Sequence, residues 1–312
     1  MSTKVLTRAL FLIFVSLHVA ADGDGTMNGF DLSNLTVDRG EILAGGPPRD
    51  GIPAIDAPGF VAAQEVNYLR DEDIVVGLVR GARARAYPLR ILVWHEIVND
   101  TFDGEPLAVT YCPLCGTAMV FDRRAGGRER SFGVSGLLYR SDVLMFDRET
   151  GSLWSQLAME SVSGPAAGAR LVWLPSEHMT WQAWRQRYPD SEVLSPDTGF
   201  RRDYGGTAYA SYFASDEPMF PVPKSRTELP DRALVVGVIV GGEAKAYPVE
   251  DLRSVEALDD HVGGTPVVVR YDGDSRRPEV SGPEGEQLPS VVVFWFAWQG
   301  FYPETGLWRP TE

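Results

Sequence analysis

Residues 71–111 read DEDIVVGLVRGARARAYPLRILVWHEIVNDTFDGEPLAVTY, and this stretch decides the fold because the chain contains it twice. It aligns without a gap against residues 231–271, DRALVVGVIVGGEAKAYPVEDLRSVEALDDHVGGTPVVVRY, and 16 of the 41 positions are identical. Unrelated sequences would match at only a few positions, so the chain carries two copies of one unit. A second similarity, between FDRETGSLW at 146–154 and FYPETGLW at 301–308, predicts that both copies end in the same way.

Patterns within the repeated unit predict a hairpin, a short helix and a strand. IVVGLVRGARARAYP, residues 74–88, is typical of a hairpin because a β-branched run meets a glycine turn and then alternates small and charged residues. Pro88 favours a helix over residues 89–100, since proline fits the first helical turn. PLAVTY, residues 106–111, then predicts a strand that leads into Cys112.

The region between the copies adds strand-like, glycine-rich sequence and one more helix. SEHMTWQAWRQRYP, residues 176–189, predicts a helix with Ser176 as its N-cap and with Trp181, Trp184 and Tyr188 on one side. Together these patterns predict a mainly β (α+β) fold: two tandem copies of a β-rich unit with short helices, packed as pseudo-symmetric halves.

Four segments make up the predicted domain organisation. Residues 1–21 are a signal peptide, because Lys4 and Arg8 precede a short apolar run, which small residues follow before Asp22. Residues 22–50 are a flexible N-terminal segment. Residues 51–212 are the first repeat, with a Cys/His site and a helical insertion, and residues 213–312 are a second, degenerate repeat without the site. An exported protein, periplasmic or secreted, is therefore expected.

The formal net charge of −14 limits the partners of the chain. Such acidity repels the phosphates of nucleic acids and the surface of anionic membranes, so neither is expected as a partner. No segment after residue 21 reaches the roughly 18 apolar residues that a spanning helix needs, so no membrane span is expected after signal cleavage. The expected partner is an unidentified small molecule or protein.

The two copies differ at the residues that carry reactive side chains. Positions that both copies share, such as Gly77, Tyr87 and Pro88, are explained by turns, a helix start and core packing. Reactive residues that only one copy has are candidates for function. These are His95, Cys112 and Cys115, which become Val255, Asp272 and Ser275 in the second copy.

Both cysteines of the chain lie in CPLCG, residues 112–116, which resembles a zinc-knuckle turn in which the glycine adopts the left-handed conformation. The first interpretation is a metal site in which Cys112, Cys115 and His95 bind copper or zinc. Such a site would serve catalysis or the handling of the metal. Further candidate ligands or site-lining residues are Met119, Ser141, Asp142, Met145 and Asp147.

Two other interpretations of the cysteine pair stay open. A dithiol–disulfide oxidoreductase also uses a CxxC pair, although GTAMVFD after Cys115 is typical of a strand and not of the helix that lowers the thiol pKa in such enzymes. Alternatively, the pair forms a structural disulfide in a non-enzymatic binding module, with a groove that contains Trp154, Trp181 and Trp184. The sequence identifies no reaction.

Four segments together resemble a known family. They are WHEIVND at 94–100, VTYCPLCGTAMVFDR at 109–123, FGVSGLLYRSDVLMFDRETGSLWSQ at 132–156 and RRDYGGTAYASY at 201–212. The chain is similar, over roughly residues 50 to 310, to the exported bacterial proteins grouped as domain of unknown function 3179. The resemblance implies an exported protein and supplies no reaction.

Overall fold

The fold is mainly β with a few short helices, in a computed structural model that describes residues 25–222 and 226–310. The predicted mainly β class is confirmed. The predicted signal peptide, residues 1–21, lies outside the described residues. Within the described ranges, no helix combines the length and the apolar character that crossing a bilayer requires.

The strands up to the cysteine turn and just beyond it are β1 (Thr26–Met27), β2 (Phe30–Asp31), β3 (Ile42–Ala44), β4 (Phe60–Ala62), β5 (Ile74–Arg80), β6 (Arg83–Pro88), β7 (Ile97–Phe102), β8 (Glu105–Cys112) and β9 (Thr117–Asp122). The next strands are β10 (Arg124–Ala125), β11 (Arg128–Glu129), β12 (Phe132–Tyr139), β13 (Asp142–Asp147), β14 (Leu153–Ser155), β15 (Glu160–Ser161), β16 (Val172–Leu174), β17 (Glu177–Thr180) and β18 (Glu192–Leu194). The last strands are β19 (Leu234–Val240), β20 (Glu243–Pro248), β21 (Leu258–Val262), β22 (Thr265–Asp272), β23 (Arg277–Ser281), β24 (Ser290–Phe294) and β25 (Gly306–Leu307). The α-helices are α1 (Leu89–His95), α2 (Trp181–Arg187), α3 (Ala210–Phe213), α4 (Val249–Leu252) and α5 (Trp295–Phe301).

Most strands of the described residues belong to five sheets of three to five strands each. Their strand orders are β17-β5-β6-β18-β4, β16-β9-β8-β7, β15-β14-β13-β12-β3, β24-β19-β20-β25 and β21-β22-β23. The predicted hairpin at 74–88 is β5–β6, and it turns at Gly81 with φ +57°, as β19–β20 turns at Gly241 with φ +60°. Glycine adopts this left-handed conformation without steric cost. We call residues 71–195 the first unit and residues 231–308 the second unit.

Each unit places a tryptophan ring directly on a strand glycine. A Cβ atom on Gly77 would lie 1.8 Å from the ring of Trp184, and one on Gly237 would lie 2.4 Å from the ring of Trp298. Both distances are far inside van der Waals contact, so no side chain fits at either glycine. The two glycines that the sequence comparison assigned to the fold therefore fix how α2 and α5 pack on their sheets.

The second similarity read from the sequence is wrong in its alignment. Residues 301–308 correspond in the structure to the region of β18 and not to residues 146–154, because β18 pairs in parallel with β6 as β25 pairs in parallel with β20. The tryptophan indoles follow the same plan: Trp184 Nε1 donates to Ser191 Oγ at 2.8 Å, and Trp298 Nε1 donates to Thr305 Oγ1 at 2.9 Å. Residues 146–154 instead connect β13 to β14.

Two hydrogen bonds link the units in a reciprocal way. The backbone N–H of Thr180, at the end of β17, donates to the carbonyl oxygen of Ser275 at 2.8 Å. The N–H of Phe294, at the end of β24, donates to the carbonyl oxygen of Cys115 at 2.9 Å. The edge strand of each unit, β17 or β24, therefore contacts a hairpin turn of the other unit. The two turns occupy matching positions in the sequence repeat.

Helix α1 is shorter than the sequence predicted. The helix ends at His95, because Glu96 adopts the left-handed conformation with φ +59°, and the chain continues as strand β7 where residues 97–100 were expected to be helical. The β-branched residues Ile97 and Val98 pair with β8. Tertiary pairing here outweighs the helical pattern.

Helix α2 begins later than predicted. Ser176 is not its N-cap, because residues 177–180 form β17 and pair with β5. The N-cap is Thr180, whose side chain accepts a hydrogen bond from the N–H of Ala183. The tryptophans of the expected groove, Trp154, Trp181 and Trp184, are all buried in the core.

Part of the N-terminal segment, residues 22–50, contributes side chains to the core. Of residues 22–50, the structure describes 25–50, and Phe30, Leu32 and Ile42 are buried there. Strand β3 completes the sheet of β12 to β15 by pairing with β12. Strands β12 to β15 of this sheet belong to an insertion between β9 and β16 that has no counterpart in the second unit.

Candidate metal centre

The cysteine pair lies in the turn between β8 and β9. Cys112 is the last residue of β8 and pairs with Thr117 at the start of β9. Gly116 has φ +64°, the left-handed conformation expected for the glycine of a CPxCG turn. Both thiols are free and buried, with Cys112 1% and Cys115 0% exposed.

The hairpin of β12 and β13 brings a carboxylate to the two thiols. Its two turn residues, Arg140 and Ser141, have φ +51° and +64°. Two-residue turns of this type usually contain asparagine or glycine, and a side chain in this conformation costs about 1 kcal/mol or more. The turn places Asp142 so that its carboxylate and the sulfur atoms of Cys112 and Cys115 all lie within 4.8 Å of one another.

Hydrogen bonding satisfies only part of this group. The N–H of Leu157 donates to Asp142 Oδ2 at 3.0 Å, whereas the buried Oδ1 atom accepts no hydrogen bond. Cys115 Sγ donates to the carbonyl oxygen of Ser141 at 3.3 Å. The thiols of Cys112 and Cys115 lie close enough to interact with this carboxyl group without completing its hydrogen bonding. An incompletely satisfied buried acceptor costs about 1–3 kcal/mol, so the group favours a ligand or a proton.

Burial shifts the pKa values of all three groups upward. It raises the pKa of Asp142 to about 7. It also raises the pKa of Cys112, and raises the pKa of Cys115 well above the ordinary thiol value. The unliganded centre therefore favours protonated thiols, because a low-dielectric environment disfavours the anions.

Glu96 is a second buried carboxyl beside the centre, and the sequence reasoning missed it. Its left-handed backbone at the end of α1 directs the residue to the pocket, where Oε1 accepts a hydrogen bond from Tyr209 Oη at 3.0 Å. Burial, with a smaller contribution from Asp142, raises the pKa of Glu96 to about 7. Both copies have a glutamate at this position, Glu96 and Glu256, so the comparison of the copies does not single it out. The unequal surroundings of the two glutamates are not visible in the repeat alignment.

A cavity of about 70 Å³ adjoins the centre at Cys112. Glu96, Cys112 and Tyr209 contribute the polar side chains of its lining, and most other lining residues, including Val134 and Leu138, are apolar. Met219, which also lines the cavity, is 49% exposed and lies at its outer side. The cavity therefore offers an approach to Cys112 from the protein surface.

The segment RRDYGGTAYASY, residues 201–212, covers the centre with tyrosines. Tyr209 donates to Glu96, and Tyr212 Oη donates to the carbonyl oxygen of Leu114, inside the cysteine turn, at 2.6 Å. The segment that carried part of the family resemblance is thus in direct contact with the turn and with the buried carboxyl.

His95 is not part of the group that the structure brings together. Its Nδ1 atom donates to the carbonyl oxygen of Pro53 at 2.7 Å, so Nε2 is the acceptor for Tyr204 Oη at 2.6 Å. Both ring nitrogens are therefore engaged, and burial lowers the pKa of the imidazole. The histidine precedes the cysteines in the sequence, and its ring packs against the rings of Phe200 and Tyr204.

The remaining candidates divide into structural and neighbouring residues. Asp147 is fully buried and accepts hydrogen bonds from Arg130, Thr150 and Trp154, so its carboxylate is engaged in the core. Ser141 reaches the centre through its carbonyl oxygen, while its hydroxyl donates to Pro221 at 2.9 Å. Met119 and Met145 are buried in the same apolar cluster as the cysteines.

Comparisons with known proteins identify the family and no relative of known function. No curated protein and no solved structure matches the chain significantly. The sequence profile of one family, described as "Protein of unknown function (DUF3179)", matches residues 49–281. This match covers most of the chain and includes both cysteines, Asp142 and the covering tyrosines, so the chain belongs to this family of proteins of unknown function.

Proposed function

We propose that Cys112, Cys115 and Asp142 bind a zinc ion. The observation that carries the proposal is the buried Asp142 Oδ1 atom, which accepts no hydrogen bond although two sulfur atoms lie within 4.8 Å of the carboxylate. A cation offers this acceptor the partner that it lacks, and it also offsets the cost of burying thiolates and a carboxylate together.

The spacing of the three ligand atoms suits zinc. Zn–S bonds are about 2.3 Å and Zn–O bonds about 2.0–2.2 Å, so tetrahedral ligands lie roughly 3.5–3.8 Å apart. The group already lies within 4.8 Å, so rotamer adjustments of about 1 Å would bring its atoms to bonding positions. The turn and the hairpin that carry the ligands need no rearrangement.

The kind of ligand favours zinc over copper. Two thiolates alone suit Cu(I) as well as zinc, but a carboxylate oxygen is a hard ligand that Cu(I) binds poorly. A set of two sulfur atoms and one oxygen suits a borderline ion such as Zn²⁺. Three protein ligands also leave one position open, and a cavity adjoins one of the three, Cys112.

Metal analysis of the purified protein tests this proposal. We expect about one zinc per chain in the wild type and a loss of more than 80% in Cys112→Ser and in Asp142→Asn. Asp272→Asn is the matched control, because it changes the residue that corresponds to Cys112 in the second unit, and it should retain zinc. Wild-type protein without stoichiometric metal, after expression in zinc-supplemented medium, would overturn the proposal, and stoichiometric copper instead would overturn the choice of ion.

The second candidate is a dithiol–disulfide oxidoreductase, which the raised pKa of Asp142, about 7, specifically favours. A carboxylate that titrates near neutral pH can take the proton of Cys115 when the pair reduces a substrate disulfide. Cys112 and Cys115 would form one S–S bond while the substrate disulfide becomes two thiols. The raised thiol pKa values oppose this reaction, because the thiolate is the nucleophile.

A redox titration separates the two candidates. The oxidoreductase predicts a reversible disulfide between Cys112 and Cys115 with a measurable potential, together with catalysed reduction of insulin by dithiothreitol. The zinc proposal predicts that the metal-loaded protein resists alkylation of both thiols and does not accelerate insulin reduction. A structural disulfide would be present in freshly purified protein and would not cycle.

We also infer that the chain is a tandem duplication packed as pseudo-symmetric halves, residues 51–212 with the site and residues 213–312 without it. The support is the sequence repeat together with the reciprocal hydrogen bonds that edge strands β17 and β24 donate to Ser275 and Cys115. We propose export as well, on the sequence of residues 1–21, so that the zinc would protect two free thiols in an oxidising compartment.

A further inference from the structure

The cavity beside Cys112 has the lining of a small-ligand site. Its polar end is formed by Glu96, whose carboxyl is already held by Tyr209, and by Cys112. Its other walls are mainly apolar and include Val134 and Leu138. A concave, largely apolar site with a few convergent polar groups is the usual form of a ligand pocket.

The charges around the cavity select against ions. Among the described residues, no lysine, arginine or histidine lines the cavity. Glu96 at the polar end and Asp142 nearby would repel an anion, and an anion would find no cationic partner to replace its hydration. An ammonium group would also lose its hydration shell against mostly apolar walls, with a single carboxyl that Tyr209 already engages.

The size of the cavity limits the ligand. An apolar cavity of about 150 Å³ accommodates benzene, which has six carbon atoms. A cavity of about 70 Å³ therefore accommodates roughly three or four non-hydrogen atoms. A hydroxyl group suits the polar end best, because it can donate to a carboxylate and accept from a carboxylic acid.

We propose that this cavity binds small uncharged aliphatic molecules that carry a hydroxyl group, with the hydroxyl at Glu96 and the alkyl part between Val134 and Leu138. The inference does not depend on the zinc, since the contacts that define the ligand are made by Glu96 and by apolar side chains. With at most about 1.5 kcal/mol per non-hydrogen atom, a four-atom ligand binds no tighter than about 40 μM. We therefore expect millimolar affinity.

The test uses methyl NMR on the intact metal-free protein and repeats it after zinc addition. The probes are 1-propanol, propylammonium and acetate, which each have four non-hydrogen atoms. We expect 1-propanol to shift the methyl signals of Val134 and Leu138 saturably, and the two ions to bind at least tenfold more weakly. A linear, unsaturable response to 1-propanol, or equal binding of either ion, would overturn the proposal.

Enlarging one side chain in the wall of the cavity tests whether the alcohol binds there. Val134→Ile adds one carbon atom to the cavity, so 1-propanol should bind at least fivefold more weakly while ethanol, which is one carbon shorter, keeps its affinity. Val172→Ile is the control, because Val172 is exposed and does not line the cavity. Unchanged 1-propanol binding in Val134→Ile would place the ligand elsewhere.

Alcohol binding by protein that fails to bind zinc would leave this inference standing and remove the metal centre, so the two failures are distinguishable.

Discussion

The turn at residues 112–117 and the turn at residues 272–277 occupy the same position in their hairpins and have opposite surroundings. Each offers a carbonyl oxygen to an edge strand of the other unit. Cys112 is buried, whereas Asp272 is exposed and its Oδ2 atom accepts a hydrogen bond from Ser275 Oγ at 2.7 Å. The same backbone position therefore carries a buried reactive side chain in one unit and an exposed side chain in the other.

What covers each turn explains the difference. The turn of the first unit lies under the β12–β13 hairpin, which supplies Asp142, and under residues 201–212, which supply Tyr209 and Tyr212. The hairpin belongs to the insertion that the second unit lacks. The two hairpins therefore share a backbone plan, and the candidate site is formed by the segments that lie against only one of them.

Zinc should produce the largest difference between the two turns. Excess zinc, at about 1,000 times its Kd, should raise the free energy of unfolding of the wild type by about 4 kcal/mol. Cys115→Ser should lose this gain, while Ser275→Ala, at the corresponding position, should retain it. Chemical denaturation with and without zinc measures the effect, and an equal gain in Cys115→Ser would show that zinc acts elsewhere.

Substitution of the glycine that lies under a tryptophan ring should destabilise the two units equally. Gly77→Ala and Gly237→Ala each force a Cβ atom into the ring of Trp184 or Trp298, so each should lower the free energy of unfolding by about 3 kcal/mol. Gly273→Ala, where an added Cβ meets no atom within 4 Å, is the control and should change it by less than about 0.5 kcal/mol. Urea denaturation measures all three variants. A tolerated Gly237→Ala would mean that the second unit packs differently.

Glu96 and Glu256 match in the alignment, and the buried Glu96 should make the free energy of unfolding depend on pH. Burial raises the pKa of Glu96 to about 7 in the folded protein, so the folded state binds more protons, and stability falls as pH rises from about 4.5 to 7. Glu96→Gln should therefore be more stable than the wild type by up to about 3 kcal/mol at pH 8 and about equal at pH 4.5. Glu256 is exposed, so Glu256→Gln is the control and should keep the pH dependence of the wild type, as thermal unfolding of the metal-free proteins measures.

Much of the scaffold could be predicted because the repeat marks it. Positions shared by both copies, such as Gly77 and Gly81, are turn and packing residues in the structure. The similarity between 146–154 and 301–308 misled the alignment, because short segments rich in glycine and tryptophan match without occupying equivalent strands. The end of α1 was missed for a related reason: pairing of β7 with β8 is not local in the sequence.

The site was only partly predictable, since its members come from distant segments. The loss of Cys112 and Cys115 in the second copy correctly singled out the turn as the place where the units differ. The same comparison included His95, which the structure places with Pro53 and Tyr204, and it set Glu96 aside. A comparison of the copies shows which residues only one copy contains. It does not show which residues are buried, because burial of the cysteine turn depends on contacts with the inserted hairpin, which the second copy lacks.

His178 gives the smallest expected effect and the last contrast between the units. Its partner position in β24 is Val292, which follows from the matching pairs Thr180 with Ser275 and Phe294 with Cys115. Burial lowers the pKa of His178 to about 4, below its ordinary value of about 6.5, so the unfolded state binds more protons between pH 6.5 and 4. Stability is therefore lost as pH falls through this window, by about 2 kcal/mol at pH 5.

His178→Val copies the second unit and removes the titrating group, so the variant should lose less stability than the wild type between pH 8 and pH 5. Urea denaturation at both pH values measures the difference. His261→Val, in the second unit, is the control, and an acid loss as large in His178→Val as in the wild type would assign the acid sensitivity to other groups.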